Sequence, residues 1–87
     1  MNELMLFEGI KVEVVLIDDV PHFEIYSTGK ALGYCRWNGK RTSCTPQKER
    51  IDTIIENAEI STVVRDGQLY MNESQLYDFM LEAGRLS

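Results

Sequence analysis

The sequence predicts an α+β domain: a small antiparallel sheet with hairpins, packed with two main helices and one short helix. Three observations carry that expectation. Lys11 to Ile17 (KVEVVLI) is a β-prone run. Asp66-Gly67, a favoured hairpin dipeptide, separates two later apolar stretches. Ile51, Ile54, Ile55 and Ala58 recur at i, i+3, i+4 and i+7, and Leu76, Phe79, Met80 and Ala83 repeat that spacing, as two amphipathic helices would. At 87 residues the chain has the length of one small domain, taken as 1–87.

Leu4 to Phe7 is a short apolar run that Gly9 ends. In Lys11 to Ile17, Val12, Val14 and Leu16 share one face, and Val15 and Ile17 the other. Asp18 to Pro21 reads as a turn, and His22 to Tyr26 as the next strand of a two- or three-stranded meander. Ser27 offers a hydroxyl N-cap to a short helix through Lys30, Ala31 and Leu32, which Gly33 stops.

Cys35 to Cys44 (CRWNGKRTSC) has no apolar periodicity and contains the turn dipeptide Asn38-Gly39. It reads as a surface loop. Arg36, Lys40 and Arg41 make it the densest positive segment. Trp37 either lies back on the core or, with Arg41, serves as an interface anchor. Thr45 then caps a helix that has Pro46 at its first position. Glu49, Asp52, Glu56 and Glu59 step by three, four and three residues beside the apolar face of that helix. The stripe is either a solvated face or a docking edge for a basic partner.

Ile60 to Val64 and Gln68 to Met71 read as strands joined at Arg65-Asp66-Gly67. Asn72 and Gln75 have capping-box spacing, and Glu73 suits the positive end of the helix dipole. Gly84 is expected to end the last helix. Tyr77 and Leu81 lie one turn apart on another face, as a second packing edge or a self-association patch for a homodimer.

The apolar fraction, 44%, is ordinary for a globular protein. No run approaches the ~18 apolar residues of a membrane span. The N-terminus lacks the basic and apolar regions of a signal peptide, so a cytoplasmic protein is expected. In such a reducing compartment Cys35 and Cys44 are expected as thiols. The formal charge of −5 disfavours phosphate backbones and favours encounter with basic surfaces.

No Gly-rich phosphate loop and no Ser-His-Asp set is visible, and the single histidine, His22, leaves little room for imidazole acid–base work. The expectation is a binding module and not an enzyme, with no required cofactor. Zinc is one reading of Cys35, Cys44 and His22, with Asp18 or Asp19 completing the set. The other is two reduced thiols and a strand-end histidine.

The order FEG, KVEVVLIDD, FEIYSTGKALGY, PQKERID, NAEIS and YMNESQLYDFMLEA resembles the Bro-type amino-terminal (Bro-N) domain of phage antirepressors and related viral regulators. The likeness covers nearly the whole chain. Its most specific pieces are Ala31 to Tyr34 (ALGY) and Asn72 to Tyr77, where Gln75 replaces the glycine of the family's NESGLY. The family continues with a basic, aromatic stretch, so the resemblance implies an apparently truncated domain of phage origin. It also implies DNA binding and control of the lytic switch through binding of repressors.

Two function classes follow. One is an inhibitor that occupies the basic, nucleic-acid-binding surface of a protein, either a phage repressor or a host-defence nuclease such as a CRISPR effector. Its contact residues would be Glu49, Asp52, Glu56 and Glu59, with Trp37 and Arg41 as anchors. The other is a DNA-binding transcriptional regulator.

Overall fold

A computed structural model describes residues 2–7 and 10–86. In chain order the elements are β1 (Asn2–Phe7), β2 (Ile10–Ile17), β3 (Val20–Glu24), α1 (Ile25–Ala31), β4 (Cys35–Trp37), β5 (Cys44–Pro46), α2 (Lys48–Asn57), β6 (Val63–Arg65), β7 (Gln68–Asn72) and α3 (Glu73–Leu86). The fold is α+β. A five-stranded antiparallel sheet has the order β1-β2-β3-β7-β6, and β4 and β5 form a separate hairpin. The expected stop at Gly9 lies outside the described residues.

The first three strands are the expected meander. Ile17 pairs with Val20, leaving a two-residue loop in which Asp18 and Asp19 both have positive φ, 52° and 64°. That conformation matches the twist of the flanking strands. Asp66 (φ 50°) and Gly67 (φ 77°) close the β6–β7 hairpin in the same way, between Arg65 and Gln68. The upstream strand is shorter than Ile60 to Val64 and begins only at Val63. The pairing of β3 with β7, His22 to Asn72 through Glu24 to Tyr70, joins the two halves of the chain.

Strand β3 runs straight into α1. The cap is Glu24 and not Ser27, and the helix starts at Ile25. The Glu24 carboxylate accepts from Tyr26 N at 2.8 Å and Ser27 N at 2.7 Å. Ser27 Oγ is committed elsewhere, accepting from the Glu13 backbone N–H of β2 at 3.1 Å.

Helices α1 and α2 leave by the same device. Gly33 N and Tyr34 N donate to Lys30 and Gly29 carbonyls; Glu59 N and Ile60 N donate to Glu56 and Ile55 carbonyls. Both are Schellman patterns, with the left-handed residue at Gly33 (φ 109°) and Glu59 (φ 55°). Ile60 is thereby turned back onto the core beside Ile55 and does not start a strand.

Thr45 and Pro46 do not start α2. They lie in β5, opposite Arg36 and Cys35, and Gln47 precedes the helix without a side-chain cap. Gln47 instead fastens the hairpin, donating from its backbone to the Tyr34 carbonyl and from Nε2 to the Cys35 carbonyl. The reciprocal box at α3 is as expected: Gln75 N donates to Asn72 Oδ1 and Asn72 N to Gln75 Oε1, both at 2.8 Å. Gly84 lies inside α3, which continues to Leu86.

The core has two clusters. Ile25, Ile51, Ile54, Met71, Phe79 and Ala83 form one between α1, α2, α3 and the sheet. Val12, Val14, Phe23 and Ala31 form the other, over the N-terminal strands. Ile55 and Leu76 are half-buried at the edges, and Met80, expected in the core, is exposed. Leu16 is exposed too, while Val15 on the opposite face of β2 is buried.

Helix α1 approaches α2 through Gly29. A Cβ there would lie 2.5 Å from Ile51 Cδ1 and 2.6 Å from Ile51 Cγ1, and Ile51 is fully buried and cannot step aside. Gly29→Ala should therefore cost about 1–3 kcal/mol in urea unfolding, as overpacking does. In an Ile51→Ala background, itself down by about 2–5 kcal/mol, the same change should cost close to nothing because the new methyl enters the vacated space. Additive losses would show that Ile51 does not limit the approach.

Candidate partner-binding surface

The segment from Cys35 to Cys44 is a hairpin and not an irregular loop. Asn38 organises its tip: Oδ1 accepts from Thr42 N and Nδ2 donates to Thr42 Oγ1, each at 2.8 Å. Its main chain donates to the Ser43 carbonyl and accepts from Arg41 N. Cys35 and Cys44 are joined as a disulfide across this hairpin, in contrast to the thiols expected from a reducing compartment. Bonded sulfurs are not thiolates, so zinc binding by this pair would require its reduction. His22 is on β3, in the other sheet, and its Nδ1 donates to the Val20 carbonyl at 2.8 Å. Among the described residues no group of three or more His, Cys, Asp or Glu is placed to hold a metal ion.

Strand alternation divides the hairpin's side chains. Arg36 reaches α2, with Nη2 3.1 Å from Glu49 Oε2, an ion pair in which both partners are solvent-exposed. Trp37 takes the other face and is 46% exposed. Arg41 lies over its ring at 6.0 Å, and a shallow cleft places Trp37 with Lys11 and Lys30. The structure thus surrounds Trp37 with cations, while Arg36 is the hairpin residue that meets the carboxylates.

The stripe on α2 is also divided. Glu49 is paired with Arg36, and Asp52 Oδ1 accepts from the Tyr26 hydroxyl at 2.6 Å. Lys48 sits over the Tyr26 ring at 5.2 Å and Arg50 over the Tyr34 ring at 5.8 Å, which brings positive charge to the same end. Glu56 is exposed on the last turn. Glu59 lies past the helix in the left-handed exit residue, off the line that the spacing suggested. Neither of these two carboxylates makes an ion pair among the described residues.

Helix α3 continues the acidic character beyond α2. Asp78, Leu81 and Glu82 share a shallow depression with Asn57, Ala58 and Arg85. Leu81 is 70% exposed and Tyr77 56%. Asp78 and Glu82 are not among the residues that the sequence singles out, although they are one turn apart around Leu81, the same helical spacing that marks the α2 stripe. Among the described residues no helix is long and apolar enough to cross a membrane.

With this geometry in place, comparison with known proteins finds no matching family model, no matching curated protein and no matching solved structure.

The Tyr26–Asp52 bond gives a pH prediction. Donation to Asp52 is the first cause that pushes the Tyr26 phenol from its ordinary 10.0 up to about 12; burial and the nearby carboxylate charges add to it. A group whose folded-state pKa is raised stabilises the fold fully below its unfolded pKa and loses that contribution as pH climbs through the folded one. Stability should therefore fall between about pH 10 and 12, measured by denaturant midpoint across pH. Tyr26→Phe should flatten part of that fall, and Asp52→Asn should bring the tyrosinate absorbance transition back toward its ordinary range.

Proposed function

We propose that this chain is a non-enzymatic inhibitor or regulator of phage origin. In this reading it binds a protein partner and covers that partner's basic, nucleic-acid-binding surface, in the manner of an antirepressor or of a counter-defence inhibitor of a CRISPR nuclease. The observation that carries the reading is the acidic-apolar face along α3, where Asp78 and Glu82 share a depression with the exposed Leu81 and with Arg85, while Glu56 is exposed on the last turn of α2. Unpaired carboxylates steer a protein toward lysine- and arginine-rich surfaces, and an exposed leucine beside them supplies the short-range contact that exposed charges lack. The phage origin rests on the Bro-N resemblance. Action in the cytoplasm of the bacterial host belongs to the same proposal, and so does homodimerisation through Tyr77 and Leu81, which would compete for this face.

A second reading, a DNA-binding regulator, is favoured by one observation: the cleft that holds Trp37, Lys11 and Lys30, with Arg41 over the indole. Cations beside an exposed aromatic ring are suited to phosphates and bases. Zinc is proposed only for the reduced chain, and elemental analysis of reduced protein decides it.

The test uses a candidate repressor or nuclease and measures both rate constants across a salt series. The double variant Glu56→Lys, Glu82→Lys should slow association by up to about tenfold at low salt and flatten its salt dependence. Unchanged rates would reduce the acidic face to a solvated surface. If the unmodified protein instead shifts duplex DNA at physiological salt, and Lys11→Glu with Lys30→Glu abolishes the shift, the second reading replaces the first.

A further inference from the structure

The second core cluster does not close. Between α1 and α3 it opens as a groove of about 270 Å³. Val12 and Phe23 of the sheet, Ala31 of α1 and Leu76 of α3 give it apolar walls, with Tyr77 and Met80, both substantially exposed, along α3. Two polar groups interrupt this lining. Thr28, on α1, is only 4% exposed, and its Oγ1 has no hydrogen-bond partner among the described residues. Glu73, at the start of α3, is exposed, and its carboxylate accepts from the Tyr77 hydroxyl at 3.4 Å.

A helical threonine can return its hydroxyl to a carbonyl one turn back. Here the Glu24 carbonyl receives the Ser27 hydroxyl at 3.3 Å, and Thr28 Oγ1 makes no such bond among the described residues. A buried hydroxyl without a partner is costly, and a ligand group that supplies one recovers that cost. The volume lies just below the ~300 Å³ at which pockets for whole drug-sized ligands begin, which suits one large side chain. The Glu73 carboxylate at the edge favours a cation beside it.

We propose that this groove receives one tryptophan or tyrosine side chain of a partner protein, flanked in the partner's sequence by lysine or arginine. The ring lies against Val12, Phe23 and Leu76, its N–H or O–H pairs with Thr28 Oγ1, and the neighbouring cation meets Glu73. Met80 gives an adaptable wall to such a ring. The chemistry of the partner rests on the proposed docking to a basic protein surface, while the groove itself is separate from the α2 carboxylates.

The experiment titrates the full chain with three capped tripeptides, Lys-Trp-Lys, Lys-Phe-Lys and Glu-Trp-Glu, and follows backbone amide signals. Lys-Trp-Lys should give saturable shifts at Thr28, Ala31 and Leu76. Lys-Phe-Lys, which lacks the N–H, should bind about three- to tenfold more weakly, and Glu-Trp-Glu more weakly than Lys-Trp-Lys. Glu73→Gln should weaken Lys-Trp-Lys by about two- to fivefold. Thr28→Val should abolish the difference between the tryptophan and phenylalanine peptides and also raise the melting temperature of the free protein. Shifts that map away from the groove, equal binding of the two lysine peptides, or a lowered melting temperature for Thr28→Val would overturn the proposal. A dimer in sedimentation that Met80→Lys dissociates and Leu81→Lys does not would overturn it in favour of a second copy in the groove. The Glu56→Lys, Glu82→Lys variant separates the two ideas. Retained peptide binding alongside unchanged partner rates would leave the groove standing without the acidic-face reading, and lost peptide binding would count against the groove.

Discussion

The fold turns on one carboxylate. Glu24 ends β3 and, with no connecting loop, caps α1 through two short bonds to Tyr26 N and Ser27 N. The position is buried, and a buried carboxylate is tolerable only where fixed donors replace its water. The amides at the start of the helix are such donors, aided by the dipole. Because strand and helix share this residue, α1 has no freedom to swing away from the sheet. Glu13 N on the neighbouring strand pins it again through Ser27 Oγ.

The remaining elements are built on that direction. With α1 fixed across the sheet, Gly29 faces Ile51 closely enough that α2 has one place to lie. The exit at Gly33 then sends Tyr34 back, where its ring meets Phe79 edge-on and its backbone carbonyl accepts from Gln47 N. Gln47 also bonds the Cys35 carbonyl, so the hairpin is held at its base independently of the disulfide at its sulfurs. The same geometry leaves a gap. Glu24 accepts the Ser27 hydroxyl on its carbonyl, Thr28 Oγ1 has no hydrogen-bond partner among the described residues, and Met80 on α3 lies at the mouth of a groove and not in a core.

Local rules were legible wherever a single short-range choice decided the outcome. Asn72 with Gln75 and Asp66 with Gly67 each carry their conformation within four residues, and both formed as the sequence implies. Ile51, Ile54, Phe79 and Ala83 were legible because burial follows the helical period. The failures share another cause. Ser27 and Thr45 are good caps by type, yet one was claimed by β2 and the other by β4, and pairing across that distance leaves no trace in a local window. Glu59 kept the spacing of a helical stripe but fell at the residue where the helix unwinds. Trp37 and Arg36 are adjacent in sequence and face opposite ways only because the segment is a strand, so reading it as a loop placed the indole beside the wrong charges.

That last point changes how the charge of −5 should be used. Screening limits the reach of an exposed charge to about 8–10 Å at physiological salt, so a partner meets patches and not the sum. On this molecule the patches differ in sign: Lys11, Lys30 and Arg41 collect around Trp37, while Asp78 and Glu82 flank Leu81. Arg36 pairs with Glu49, and Lys48 lies over the ring of Tyr26, whose hydroxyl donates to Asp52, so that opposite charges meet on the N-terminal part of α2. A net-acidic chain can therefore present a basic-aromatic cleft on its hairpin and an acidic-apolar face on its helices. Which of them a partner occupies is decided by contacts within one Debye length, where the exposed apolar residue at the centre of each patch sets the affinity that the charges only guide.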